Sequence, residues 1–331
     1  MIRADCKVLA TLLAVVAFAC SECRRVYAWP FSKKHEFDEP TKSKRSIQGR
    51  AIGLVPGNPP GVYWAPEKKA KAVVLCLHEL GLYSGVFDDL GRRLADKDIA
   101  VYAIDLRGFG GWRELEEKNR KDGKMDLGKS LADVKSSCQV IRNLQPGVPV
   151  FILGEAMGGA LALQAAEQFP DLIDGVISSV PGGDHFNTAN NYVTVASGMA
   201  LGAKHAFGLA ENLMNLATPK RELRDVFSSD EKVRLDVTSG EMIACQFYMY
   251  KTKSMAREIT NTPVLIVHGE KDGESKLIGS KAVYENLATK DKKFALLEAG
   301  DHYTFEDTKV SDEAFDVALS WISNHISTRS D

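Results

Sequence analysis

Hydrophobic and polar positions form two different patterns along this chain from about residue 70 onward. Near-continuous apolar runs, such as 71–77 and 99–104, predict parallel strands that are buried on both faces. Apolar residues at 127–141 recur every three or four positions, which predicts a helix with one buried face. Similar patterns predict strands at 148–153, 172–180, 263–267 and 294–297, and helices at 86–97, 157–168, 280–287 and 312–325. Alternating strands and helices predict an α/β fold with a mostly parallel sheet.

The interval 182–262 breaks this alternation. It contains no convincing strand pattern and is rich in Ala, Leu, Met and Gly. We interpret it as a helical insertion over the carboxyl edge of the sheet. The core fold is then formed by 51–181 and 263–331, preceded by a polar, proline-broken linker at 29–50.

The N-terminus has the pattern of a secretory signal peptide over residues 1–28. Arg3 and Lys7 precede an apolar run at 8–20, which is shorter than the roughly 20 residues that span a bilayer. Small residues near Ala28 favour cleavage there, so we expect export to the periplasm or the exterior. Cys20, after Ala-Phe-Ala, is an alternative lipid-attachment site. An uncleaved N-terminal anchor is a third possibility, so peripheral membrane contact remains open.

Composition narrows the classes of partner. The 331 residues carry a net charge of −2, which gives no electrostatic reason to expect nucleic acid. Cleavage after Ala28 leaves Cys76, Cys138 and Cys245 in different elements, which is no disulfide framework, and the first two fit core positions. The sequence has no dinucleotide fingerprint, phosphate-binding loop or metal-ligand spacing, so no cofactor or metal is predicted. The oligomeric state is not indicated.

The segment Gly-Glu-Ala-Met-Gly-Gly at 154–159 carries the most specific chemical signal. A predicted strand runs into a Gly-x-x-x-Gly turn, and a helix of small residues follows. This is the frame of a nucleophile elbow, G-x-S-x-G, which exposes a serine oxygen at a sharp turn. Ala156 stands at the nucleophile position, so the frame lacks its reactive hydroxyl.

Two further strand ends carry a candidate acid and a candidate base. Asp272 lies in the turn after the strand at 263–267, and His302 lies in the loop after the strand at 294–297. The imidazole could take a proton from a nucleophile, and the carboxylate could hold its tautomer. The N–H of Met157, at the helix start, could stabilise a developing oxyanion. The order nucleophile, acid, base is that of the α/β-hydrolases.

Several motifs together resemble those of monoacylglycerol lipases and related lysophospholipases. The stretch His-Glu-Leu-Gly at 78–81 resembles their His-Gly-x-Gly loop, and 105–111 resembles their Asp-x-Arg-Gly-x-Gly turn. The elbow resembles their Gly-x-Ser-Met-Gly-Gly, and the likeness covers roughly residues 70–325. The resemblance implies an α/β-hydrolase fold, Leu80 N–H as second oxyanion donor, 182–262 as a lid, and an acyl ester or lipid-like ligand.

The chain departs from this family pattern at two positions. Ala156 removes the nucleophile, and Glu79 replaces the first glycine of the oxyanion loop. A carboxylate aimed at the site would oppose a developing negative charge, whereas one turned to solvent would do little. Glu155 lies one position from the elbow apex and Ser84 lies in a loop, so neither is predicted to be a substitute nucleophile.

Three functions remain open on the sequence. The first is a carboxylic-ester hydrolase whose serine is replaced by alanine, which leaves this chain inactive or nearly so. The second is a natural pseudoenzyme that binds a lipid-like ligand. The third is an aminopeptidase-like amide hydrolase, which would need an acidic subsite for the amino group of its substrate.

Overall fold

The computed structural model describes residues 48–53, 59–118, 123–185 and 214–326. The predicted signal peptide, Cys20 and most of the predicted linker lie outside these residues. Within the described ranges, no helix combines the length and the hydropathy needed to cross a bilayer.

One eight-stranded sheet organises the described chain. In chain order its strands are β1 Arg50–Gly53, β2 Pro60–Trp64, β3 Ala72–Leu77, β4 Ile99–Ile104, β5 Val150–Glu155, β6 Gly175–Ser179, β7 Val264–Gly269 and β8 Lys292–Leu297. Their spatial order is β1-β2-β4-β3-β5-β6-β7-β8. β2 pairs antiparallel with β1 and β4, and all other pairs are parallel. The predicted mostly parallel sheet is confirmed.

Helices connect the strands. They are α1 Asp88–Ala95, α2 Gly110–Lys118, α3 Leu127–Leu144, α4 Met157–Gln168, α5 Arg221–Ser229, α6 Ser239–Met255, α7 Leu277–Asn286 and α8 Asp312–Ile326. α4 has the predicted bounds. The helix predicted at 86–97 is instead a 3₁₀ turn, Ser84–Phe87, followed by α1.

The apolar run of β3 is continuous because the strand is buried on both faces. Leu75 packs into the core on one side of the sheet, and the neighbouring Cys76 packs into the core on the other side. Alternation of side chains across a strand therefore demands an apolar residue at every position. Cys76 and Cys138 are buried free thiols, as expected for core positions.

The short strands β1 and β2 were not predicted from the sequence. Their four and five residues include glycine and proline, which are depleted in strands and weaken the local pattern. Pro60 is tolerated because it begins β2, where its missing N–H removes no interior ladder bond.

Residues 180–263 connect β6 to β7, and we call them the inserted segment. Its described part, 180–185 and 214–263, holds α5 and α6 and no strand, although His185 forms an isolated bridge with Ser275. Thr238 begins α6 with a capping box, in which its hydroxyl accepts from Glu241 N–H and the Glu241 carboxylate accepts from Thr238 N–H.

Candidate active site

The elbow forms at the carboxyl end of β5. Ala156 has φ 45° and ψ −108°, between the last residue of β5 and the first residue of α4, and its N–H donates to the Ser179 carbonyl at 2.9 Å. Such positive φ is sparsely populated by residues other than glycine and concentrates at functional turns. A Cβ at Gly158 would lie 2.0 Å from the Leu77 carbonyl oxygen, so only glycine lets α4 approach β3 this closely.

The side chains of His302 and Asp272 are in direct contact. The Nδ1 of His302 lies 2.8 Å from Asp272 Oδ2, and both side chains are fully buried. Asp272 Oδ1 accepts from the N–H groups of Glu274 and Ser275, each at 2.8 Å, which orients the carboxylate. Burial acts to raise the pKa of Asp272, but the imidazole of His302 and these donors bring it below its usual value.

Glu79 points inward, which answers the question that its position in the sequence leaves open. Its Oε1 lies 3.3 Å from His302 Nε2, and Glu274 Oε2 lies 3.9 Å from the same nitrogen. Burial opposes a charged imidazole, yet Asp272, Glu79 and Glu274 together raise the pKa of His302 well above its ordinary value. Burial raises the pKa of Glu274 to about 8.

Glu155 ties the elbow to the loop that carries His302. Its Oε1 accepts from Thr304 N–H at 2.7 Å, and its Oε2 accepts from the N–H groups of Phe305 and Glu306 at 2.9 and 3.0 Å. Burial raises the pKa of Glu155 to about 7. The side chain is occupied by the backbone of this loop, so the structure gives Glu155 a positioning role.

Replacing Glu155 with glutamine is expected to lower the free energy of unfolding by about 2–3 kcal/mol, because an amide nitrogen then faces buried N–H donors. Urea denaturation measures the change. Glu167→Gln, on the less buried face of α4, is the matched control and should change the free energy by less than about 0.5 kcal/mol. Equal stability of both variants would contradict the positioning role.

His78 and His268, which also lie at strand ends, make structural hydrogen bonds. His78 Nε2 accepts from Leu106 N–H at 2.9 Å, and its Nδ1 lies 2.7 Å from the Glu79 carbonyl oxygen. His268 Nδ1 lies 2.9 Å from Ser280 Oγ. Burial lowers the pKa of each imidazole to about 4, so both are neutral at pH 7.

A cavity of about 60 Å³ lies between the loop that begins at His78 and the inserted segment, which also touch directly through the hydrogen bond from Arg234 N–H to the Gly81 carbonyl. Leu80, Glu79 and Glu274 line it on the side of the sheet. The inserted segment contributes Met214, Val233, Val237 and Met242 together with Arg234. The cavity is therefore mostly apolar on that side and carries two carboxylates beside the imidazole.

Sequence reasoning missed two buried carboxyl groups around His302. Glu274 stands two residues after Asp272, and this adjacency to a predicted site residue was the available signal. Glu306 accepts from Glu79 N–H at 2.8 Å, a contact across 227 positions for which the sequence has no local signal. Burial raises the pKa of Glu306 well above the usual range.

Comparisons of the sequence with known proteins identify the family of this chain. The sequence profile of the family described as serine aminopeptidase, S33, matches residues 68–309, which is more than half of the chain. A monoglyceride lipase homolog of Monkeypox virus is 28% identical over 274 residues, covering 80% of this chain and 94% of its own length. The monoglyceride lipase of Homo sapiens is 25% identical over 285 residues, covering 80% of this chain and 87% of its own length.

Solved structures show the same fold. A soluble variant of monoglyceride lipase from Saccharomyces cerevisiae, in complex with a substrate analog, has a TM-score of 0.66 at 19% identity, covering 91% of this chain and 99% of that chain. A carboxyl esterase from Bacillus coagulans, in complex with glycerol, has a TM-score of 0.65 at 15% identity, covering 86% and 100%. The profile match and these relatives together show that the chain belongs to the serine aminopeptidase S33 family and is a monoacylglycerol lipase-like α/β-hydrolase.

Proposed function

We propose that this chain is a carboxylic-ester hydrolase scaffold of the monoacylglycerol lipase type that is inactive, or nearly so, because Ala156 occupies the nucleophile position. The observation that carries the proposal is the buried contact between His302 and Asp272, tied to the elbow through Glu155. A serine at 156 would supply the hydroxyl that this pair could deprotonate. The N–H groups of Leu80 and Met157 are the proposed donors to the oxyanion.

The inserted segment is proposed to act as a lid over an acyl pocket. Its apolar residues face the cavity beside Leu80, which suits the acyl chain of a small ester or lipid-like ligand. The proposed place of action is outside the cytoplasm, on the basis of the signal-peptide pattern at 1–28.

The test is ester hydrolysis by Ala156→Ser, measured on monoacylglycerols and p-nitrophenyl esters of different chain length. Aminoacyl p-nitroanilides belong in the same panel, because Glu79 and Glu274 are acidic groups that could receive a substrate amine. Hydrolysis of the anilides in preference to the esters would favour the aminopeptidase-like alternative.

A ligand-binding pseudoenzyme is the second candidate, and the direction of Glu79 favours it. A carboxylate 3.3 Å from His302 Nε2 competes for the nitrogen that a nucleophile needs, and it lies beside the proposed oxyanion donors. If Ala156→Ser folds normally and hydrolyses none of the panel, this second function replaces the first.

The pH dependence of Ala156→Ser tests the same carboxylates. His302 must be neutral to act as a base, so kcat/KM should rise with pH. The midpoint should lie above the ordinary histidine pKa of about 6.5, because Asp272, Glu79 and Glu274 stabilise the imidazolium. Adding Glu79→Gln removes one carboxylate and should move the midpoint to lower pH.

The pH–rate profile of kcat/KM, measured on one soluble ester, checks this expectation. The matched control is Glu270→Gln, in the same loop as Asp272 but exposed to solvent. It should leave the midpoint in place. A midpoint that does not respond to Glu79→Gln would contradict an interaction between Glu79 and the titrating imidazole.

A further inference from the structure

Three buried side chains converge on one point beside the elbow. One ligand atom each from Glu79, Glu274 and His302 lies within 4.8 Å of the other two. The Nε2 of His302 is 3.3 Å from Glu79 Oε1 and 3.9 Å from Glu274 Oε2. Two carboxylates and one imidazole nitrogen therefore point at a shared space.

Two atoms at this point have unused bonding capacity. Within the described chain, neither His302 Nε2 nor Glu79 Oε2 has a hydrogen-bond partner. The His302 side chain is fully buried, and that of Glu79 is 10% exposed. Ala156 offers no hydroxyl to His302 Nε2, so this nitrogen and Glu79 Oε2 are both left without partners. Buried polar atoms without partners are costly, and their convergence points to a bound group.

We propose that Glu79, Glu274 and His302 bind one divalent transition-metal ion of the zinc class. Metal–ligand bonds of 2.0–2.2 Å in a tetrahedral site place neighbouring ligand atoms about 3.3–3.5 Å apart. The observed 3.3 and 3.9 Å lie near this range, and the two carboxylate oxygens lie within 4.8 Å of each other, so the three ligands would close in on a bound ion. A mixed set of imidazole and carboxylates suits zinc-class ions better than magnesium or calcium, which prefer oxygen ligands alone.

The surroundings of the three ligands support a metal. Asp272 binds the Nδ1 of His302, which leaves Nε2 directed at the cluster and forms the carboxylate–histidine arrangement that orients metal ligands. Glu79 and Glu274 also line a cavity of about 60 Å³, which has space for a fourth ligand such as water.

This inference concerns the chain with alanine at position 156, because a metal ion on His302 Nε2 would occupy the nitrogen that a serine hydroxyl needs. It departs from the sequence-based expectation of no metal. Metal motifs in sequences are recognised by short spacings between ligands. Residues 79, 274 and 302 have no such spacing, and only the fold brings the first of them to the other two.

Metal titration of the full chain tests the proposal. After treatment with a chelator and its removal, the protein is titrated with Zn²⁺ by calorimetry and with Co²⁺ by visible absorption. We expect one ion per chain with a Kd in the micromolar range or tighter. Glu79→Gln and Glu274→Gln should each weaken binding at least about tenfold, because each removes one of three protein ligands.

A matched control addresses binding elsewhere on the surface. Asp291 and His325 form a partly exposed pair that is not part of this cluster, with His325 Nε2 3.2 Å from Asp291 Oδ2. Asp291→Asn should therefore leave the affinity of the cluster for the metal unchanged. The absence of saturable binding would overturn the proposal. Wild-type affinity in both glutamate variants would also overturn it, as would loss of binding in Asp291→Asn alone.

X-ray absorption of the zinc-loaded wild-type chain decides the matter if the glutamine variants do not fold. The expected spectrum shows oxygen and nitrogen neighbours at about 2.0–2.1 Å, with multiple scattering from one imidazole and no sulfur. A spectrum with sulfur neighbours, or with several imidazoles, would overturn the assignment to this cluster.

Discussion

Replacing Ala156 with serine is expected to raise kcat/KM on monoacylglycerols or p-nitrophenyl esters by about 10⁴- to 10⁶-fold, the range lost when a nucleophile is removed from a serine hydrolase. This gain corresponds to about 5–8 kcal/mol of transition-state stabilisation. Ala156 already has the positive φ of an elbow residue, so serine needs no new backbone conformation. The buried contact between His302 and Asp272 is in place to receive its proton.

Glu79 should limit this gain, because a carboxylate near the proposed oxyanion donors opposes the charge that develops in the transition state. The double variant Ala156→Ser/Glu79→Gly should therefore exceed Ala156→Ser, by about tenfold or more if one misplaced charge costs at least 1.4 kcal/mol. Steady-state kinetics on the same esters measures both. Equal activity in the two would show that Glu79 turns away in solution.

Ala156→Gly is the matched control for the serine variant. Glycine accepts the same positive φ and adds no nucleophile, so this variant should stay at background. Circular dichroism and thermal unfolding establish that each variant is folded. Ester hydrolysis by the alanine form itself, at a rate near that of the serine form, would contradict the assignment of position 156.

The second large effect is expected when Asp272, the candidate acid, or His302, the candidate base, is replaced. In the Ala156→Ser background, Asp272→Asn should lower kcat by about 10⁴-fold, as the loss of a triad carboxylate does, because the amide favours the wrong tautomer of His302. His302→Gln in that background should lower kcat at least as much. Both variants are compared with Ala156→Ser on one ester at saturating concentration.

Two carboxylates lie beside different nitrogens of the His302 imidazole, so the experiment can distinguish their roles. Asp272 binds Nδ1, whereas Glu274 faces Nε2, so the two acids should have different effects. Glu270→Gln, exposed in the same loop, is the matched control and should change kcat less than twofold. A loss below tenfold for Asp272→Asn would assign the orienting role to another acid.

Most of the central sheet could be predicted from the pattern of apolar residues. β3 and β4 are buried on both faces, so their sequences are continuously apolar and easily recognised. α4 could be placed to the residue, because a sharp glycine-flanked turn begins it. β1 and β2 were not predicted, because strands of four and five residues that contain glycine or proline lack a strong period.

The candidate site could be predicted in part. Ala156, Asp272 and His302 follow strand ends, and carboxyl ends of parallel strands meet at one edge of a sheet. The structure brings Asp272 and His302 into contact. The positioning role of Glu155 was not predictable, because its three backbone donors lie about 150 positions away.

The sequence by itself determined the fold class, the order of the candidate groups and the absence of a hydroxyl at position 156. These properties depend on periodicity, on the sequential order of strand ends and on residue identity, all of which are local. Only the tertiary structure decided that Glu79 and Glu274 turn toward His302. The direction of a side chain depends on loop conformation and on packing between segments that are distant in sequence, such as the bond from Glu79 N–H to Glu306.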